Sequence, residues 1–222
     1  MDNKFVSVII PTYNRAYCLK NAIDSILSQT YPHLELIIVD DGSTDNTTEL
    51  INSYNDDRLR YLKLDKNAGQ SAARNIGLEN SKYDLISFHD SDDIWHKDKL
   101  EKIVPLFNES DIGFAYHKLS YDLGDNMCLI LPDENIPLEK KSGDIYAQLL
   151  YDNLVDMPAL TLTREAYEKT GKLDESLKCL EDYDYALRLA QNFNAGFYNE
   201  ILLESTLTSD GVSSRSVDYL TT

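Results

Sequence analysis

Asp90, Asp92 and Asp93 directly follow an apolar run in the stretch "LISFHDSDDIWHKDKL", from Leu85 to Leu100. Like charges this close raise one another's pKa, so the crowding costs free energy unless something makes use of it. A calcium loop does not: Glu101 falls at the twelfth position from Asp90, but Ile94 replaces an oxygen ligand and Trp95 replaces the required glycine. A helix cap at Asp92 or Asp93, for the helix that contains Leu100, is worth about 1 kcal/mol but uses one carboxylate. A divalent cation uses two, because magnesium or manganese keeps few protein ligands and takes its remaining oxygens from a bound diphosphate.

Two further acidic stretches carry the same ambiguity. In "VDDGSTDNT", Gly42 at positive φ would make a tight turn and Ser43 or Thr44 would cap the next helix, while Asp40 could instead hold a base or ribose. In "CLEDYDYALRLA", Glu181, Asp182 and Asp184 suit the first turn of a helix through its dipole. A carboxylate there can equally serve as general base for an attacking hydroxyl. Arg15 and Arg74 each read as a surface charge or as a phosphate or ribose contact. His33, His89, His96 and His117 lack metal-ligand spacing, so a zinc site is not expected.

These residues need a scaffold that gathers strand ends. "FVSVIIP", "LELIIVD", "LRYLKLD" and "DLISFHD" are short, continuously apolar runs. Helical patterns alternate with them, with Leu19, Ala22, Ile23, Ile26 and Leu27 in the first at helical spacing. This is the signature of a mainly parallel, Rossmann-like α/β sheet flanked by helices, whose ligands sit beyond the carboxyl ends of the strands. No G-x-G-x-x-G and no G-x-x-x-x-G-K-[ST] is present, which disfavours ordinary dinucleotide binding and phosphate-loop chemistry. After Leu100 the pattern changes: "KLEKIVPLF" predicts a helix ended or kinked at Pro105, and "DIGFAYHKLSYDLGDNMCLILP" an antiparallel hairpin turning near "DLGDN". "GDIYAQLLYDN" and "DYDYALRLAQN" read as helices, with a strand and short helix in "MPALTLTREAYEKTG" between them. We expect a single domain over residues 1–222, with a nucleotide-binding half to about residue 100 and a smaller, antiparallel acceptor-side portion after it.

The 222 residues carry a net charge of −17, which opposes binding to nucleic acid and unassisted docking on anionic lipid. An anionic ligand therefore needs a local cation. Cys18, Cys128 and Cys179 are scattered, without a C-x-x-C pair, and point to a reducing, cytoplasmic compartment. The apolar run before Pro11 is too short for a signal peptide, and none approaches the roughly 20 residues that span a bilayer.

Taken in series, "VSVIIPTYNRAYCLKNAIDSILSQTYPHLELIIVDDGSTDNT", "NAGQSAARNIGL", "LISFHDSDDIW" and "GKLDESLKCLEDYDYALRLA" resemble the family 2 glycosyltransferases of GT-A fold, over about residues 4 to 190. The resemblance implies an inverting enzyme that moves a sugar from a nucleoside-diphosphate sugar, UDP-linked by expectation, to a hydroxyl acceptor. Pro11, Thr12, Tyr13 and Arg15 would line the nucleotide pocket, with Tyr13 stacking on the base. Asp40 would contact the base with Asp41 beside it, and Gly69 and Arg74 would face the nucleotide and diphosphate. "DSD" matches the family's D-x-D element: Asp90 and Ser91 near the ribose, Asp92 holding Mn2+ or Mg2+, and Asp93 left to cap. Asp182 would be the general base. The acceptor implied is a saccharide or lipid-linked saccharide in surface-glycan synthesis, reached at the inner face of the membrane by peripheral association. A sugar nucleotidyltransferase is the alternative, although "PTYNR" is not its Gly-rich loop, and a non-catalytic nucleotide-sugar-binding homologue is another. Two departures stand out: "ESTLTSDGVSSRSVDY" offers only Arg215 where the family often has a basic or His-containing segment, and "GKLDE" replaces a common Gly-Phe pairing.

Overall fold

The computed structural model describes residues 4–109, 111–124 and 127–206. Arg215 and the rest of the segment after 206 lie outside them, as does the tip of the predicted "DLGDN" turn.

Continuous apolar runs produce strands covered on both faces. Strands β1 (Val6–Thr12) and β2 (Leu34–Asp40) are buried along their whole length. With β3 (Leu59–Lys63) and β4 (Leu85–Phe88) they pair in parallel, in the order β3-β2-β1-β4. Helix α1 (Ala16–Leu27) buries Leu19, Ala22, Ile23 and Ile26 against Val6, Val8, Ile10, Leu36 and Ile38. Helix α3 (Gln70–Asn80) covers the opposite face, where its Ala73 meets Ile37 and Val39, and its Leu78 packs with Ile9. Adjacent residues of one strand thus feed two cores, which accounts for the absence of polar alternation.

The second half extends the same sheet. Strand β8 (Thr161–Thr163) pairs antiparallel with β4, and β6 (Ile112–Gly124) antiparallel with β8. Strand β9 (Asn194–Thr206) runs parallel to β6, and β5 (Asp93–Trp95) closes the edge antiparallel to β9. The predicted hairpin is β6 with β7 (Met127–Leu131). Helix α4 (Lys99–Ile103) gives way to a 3-10 turn whose second residue is Pro105, as expected for a residue without an N–H. Helices α5 (Tyr146–Leu149), α6 (Arg164–Thr170) and α7 (Glu181–Ala190) occupy the predicted stretches, α6 being capped by the Thr163 hydroxyl, which accepts from the Ala166 N–H at 3.1 Å.

The expected caps of two helices are corrected. Helix α2 (Thr47–Asn52) starts beyond Ser43 and Thr44, and the Asp45 carboxylate accepts from the Thr47 N–H at 3.1 Å. The Ser43 hydroxyl instead accepts from the Asn14 N–H at 2.8 Å, tying the first two strand ends together. Neither Asp92 nor Asp93 caps α4: Asp98 precedes that helix, and Asp93 is a buried residue of β5, opposite Ser205. Pairing with β9 takes up the residues after Asp92, so the helix begins too late for either carboxylate to reach it.

Candidate active site

Strand β1 lies between β2 and β4, so the strand order reverses there and a crevice opens at the carboxyl ends. Its rim is built by loops that hold one another. Asn14, at φ 53°, accepts from the Thr44 N–H at 2.8 Å. Gly42 at φ 80° permits the tight turn after β2, and a Cβ there would lie 2.8 Å from the Lys66 carbonyl carbon. Asp41 accepts from the N–H groups of Ala68 and Gly69 at 2.7 and 2.8 Å, fixing the start of α3; burial nonetheless raises its pKa. Asp40 is fully buried, with one oxygen accepting from the Ser43 N–H at 2.7 Å and the other from the Tyr61 hydroxyl at 2.6 Å. Both aspartates thus serve the framework of the crevice. Pro11 and Thr12 end β1 in buried positions, and Tyr13 is 44% exposed at the rim.

The acidic loop meets its counter-charges here. Arg74, only 2% exposed, donates to Asp90 at 2.6 Å and to Glu181 at 3.0 Å. Burial works against its charge, but Asp90, Glu181 and Asp182 outweigh it and hold the guanidinium ionised. Arg15 pairs with Asp92. Ser91, between Asp90 and Asp92 in sequence, is buried. The expected Arg74, Asp90, Ser91, Asp92 and Arg15 are therefore one constellation, joined through Arg74 to the helix that carries Asp182.

Helix α7 opens abruptly. Leu180 precedes it at φ 60°, a left-handed conformation that costs a leucine roughly 1–2 kcal/mol. Glu181 is bound by Arg74 and Gln70. Asp182, half-buried, accepts from the Tyr183 N–H at 2.7 Å, and burial raises its pKa. A carboxylate with raised proton affinity is a stronger base.

Sequence reasoning missed Asp156. It stands between Val155 and Met157, and the segment after it packs beneath the acidic loop: Leu160 accepts from the Phe88 N–H at 3.2 Å. Burial, followed by the fields of Asp182 and Asp90, pushes Asp156 up to about 7. The one signal in the sequence is an acid embedded in an apolar run, "NLVDMPAL". The folded chain thus holds a proton that the unfolded chain releases above its ordinary value of 3.8, and stability from this group falls as pH rises from about 4 to about 7. Asp156→Asn removes that loss. Urea midpoints are expected to show the variant gaining on the parent chain between about pH 4 and pH 7; a pH-independent difference would mean that Asp156 ionises normally.

Among the described residues no three or more His, Cys, Asp or Glu side chains form a ready metal cage. The donor set available, Asp92 with Asp90 close by, is hard carboxylate oxygen at a crevice rim. That suits a magnesium or manganese ion completed by phosphate oxygens rather than a closed structural site. No helix among the described residues is long and apolar enough to cross a membrane.

The chain is 32% identical over 217 residues to a Bacillus subtilis (strain 168) protein named for teichuronic acid biosynthesis, the glycosyltransferase TuaG, covering 94% of this chain and 81% of that one. The fold matches S. aureus TarS 1-349 in complex with UDP-GlcNAc at a TM-score of 0.78 and 22% identity, covering 95% of this chain. It also matches the mannosyltransferase PcManGT of Pyrobaculum calidifontis, in complex with GDP-Man and Mn2+, at 0.74 and 20% identity, covering 98% of this chain. The present chain spans 60% and 61% of those two solved chains. Both neighbours share the expected GT-A architecture. The profile of glycosyl transferase family 2 matches residues 7–150, from β1 through the acidic loop to α5, and with the 32% identity to TuaG it shows that this chain belongs to glycosyl transferase family 2.

Proposed function

We propose that the chain is the donor-binding and catalytic domain of an inverting, metal-dependent glycosyltransferase, which moves a sugar from a UDP-linked donor to a hydroxyl of a saccharide or lipid-linked saccharide acceptor. The observation that carries the reading is the Arg74 bridge, which joins the acidic donor loop at Asp90 to Glu181, the neighbour of Asp182. Donor loop and base are thereby set in one rigid unit. Tyr13 at the rim offers a ring for the base to stack on, with Pro11 and Thr12 behind it, and Asp40 and Asp41 hold the loops that shape this pocket. Gly69 and Arg74 face the diphosphate.

Asp182 takes the proton of the acceptor hydroxyl as that oxygen bonds to the anomeric carbon. The bond from this carbon to the phosphate oxygen breaks, and its electron pair leaves with the nucleoside diphosphate. A single displacement inverts the anomeric centre. Mn2+ or Mg2+ held by Asp92 would supply stabilisation of the charge developing on the leaving group. The cation also reconciles an anionic donor with a chain of net charge −17. Relatives in polysaccharide biosynthesis and neighbours bound to nucleotide-sugars support this substrate class, and work on a membrane-presented acceptor would place the enzyme at the cytoplasmic face.

A thermal-shift panel of nucleoside diphosphates with and without manganese tests the reading. UDP with Mn2+ is expected to raise Tm by roughly 5–10 °C at a hundredfold excess over Kd. Asp92→Asn should abolish the manganese increment. No response to any nucleoside diphosphate would defeat the reading, and a preference for GDP would reassign the donor.

A further inference from the structure

Lys99 is 0% exposed, a burial that lysine almost never reaches without partners. It opens α4, yet its side chain turns inward. The ammonium donates to the Pro158 carbonyl at 3.0 Å and sits 3.4 Å from the centroid of the Trp95 ring. Burial pushes Lys99 well below the ordinary lysine range, with the field of Asp93 opposing it; Asp93 is itself buried, which raises its pKa well above the usual carboxylate range, and it is bonded by Ser205. The Trp95 ring stacks on His89 at 4.9 Å and 25°. His89 stays neutral, because burial drives its pKa to about 3. Its Nδ1 lies 2.6 Å from the Asp90 carbonyl, which can only accept, so Nδ1 carries the proton. The Ser25 hydroxyl accepts from the Trp95 backbone N–H at 3.3 Å and lies 3.4 Å from the other His89 nitrogen.

These contacts grip both ends of the acidic loop from behind. Two carboxylates of the loop also face a cation from a separate element: Asp90 pairs with Arg74 and Asp92 with Arg15. Arg74 and Arg15 stand on the crevice side. Lys99, fully buried against the Trp95 ring and the Pro158 carbonyl, is out of reach of an incoming phosphate.

We propose that Lys99 is a positioning residue for donor and metal binding: through the Trp95 ring and His89 its buried side chain holds Asp90 and Asp92 in register for the donor. This rests on the donor reading above. It follows that removing the amine displaces the loop, and that replacing the buried Asp93 carboxyl as well recovers stability without restoring register.

Trp95 is the single tryptophan of the chain, so its emission reports on this junction. Mn2+-UDP affinity, measured by calorimetry, is expected to fall at least about tenfold in Lys99→Met, with a shifted Trp95 emission maximum. Asp93→Asn/Lys99→Met should recover the Tm of the parent chain but not its affinity. If Lys99→Met fails to fold, the double variant carries the test alone. Parental affinity in Lys99→Met, or recovery of affinity along with Tm in the double variant, overturns the proposal. If the parent chain binds none of UDP, GDP, CDP or ADP with Mn2+, the donor reading fails first and takes this inference with it.

Discussion

Asp182→Asn lowers the rate of sugar transfer by about 10²–10⁴-fold, the range that a positioned general base contributes. The substitution keeps shape and volume and removes one property, the capacity to take a proton. The Asp182 oxygen that accepts from the Tyr183 N–H at 2.7 Å can be matched by the amide oxygen, so the start of α7 should survive. The expected signature is a fall in kcat with an unchanged Kd for UDP and Mn2+. Burial raises the pKa of Asp182, so the parent chain should lose activity as pH falls through that raised value and the base becomes protonated. In Asn the residual rate should lack this acid limb. Full transfer activity in the variant, with donor binding intact, would remove Asp182 from the mechanism and turn attention to Asp156.

The second large effect concerns stability. Arg74→Met is expected to destabilise the chain by about 3–5 kcal/mol, the cost of removing one partner from a buried ion pair. That corresponds to a drop in Tm on the order of 10 °C for a chain of this size. Arg74 neutralises Glu181 and Asp90 from a buried position, and without it both carboxylates lose their shared counter-charge. Arg74→Lys should rescue little, because a single ammonium cannot reproduce a planar fork donating through one nitrogen to Asp90 and another to Glu181. Adding Glu181→Gln to Arg74→Met should recover part of the lost Tm. A Tm within about 2 °C of the parent chain in Arg74→Met alone would show that water already screens the pair.

Much of this protein is written locally. The four parallel strands are apolar without interruption because they are buried on both faces, so composition and length suffice to find them. The strand-end acids, the loop glycines and the acidic start of α7 stand out for the same reason, since polar residues at the ends of apolar runs have few structural uses. The misplaced caps show where local reading stops. Ser43, Asp92 and Asp93 are all competent cap residues, but Ser43 is bound by a loop 29 positions away and Asp93 by a strand that returns only at Ser205.

What only the tertiary structure decided is which charges meet. Arg74 lies 16 positions from Asp90 and 107 from Glu181, Arg15 lies 77 from Asp92, and Lys99 reaches a carbonyl 59 positions on. Periodicity reports whether a residue faces inward, and on that ground Arg15, Arg74 and Lys99 were indistinguishable from surface cations. A buried charge is tolerated only where an opposite charge or dipole is brought to it, and that partner is supplied by the fold rather than by neighbouring sequence. The chemistry of each residue is therefore intrinsic to the chain. Its pairing, and with it the raised pKa values of Asp156 and Asp182, exists only once strands distant in sequence lie side by side.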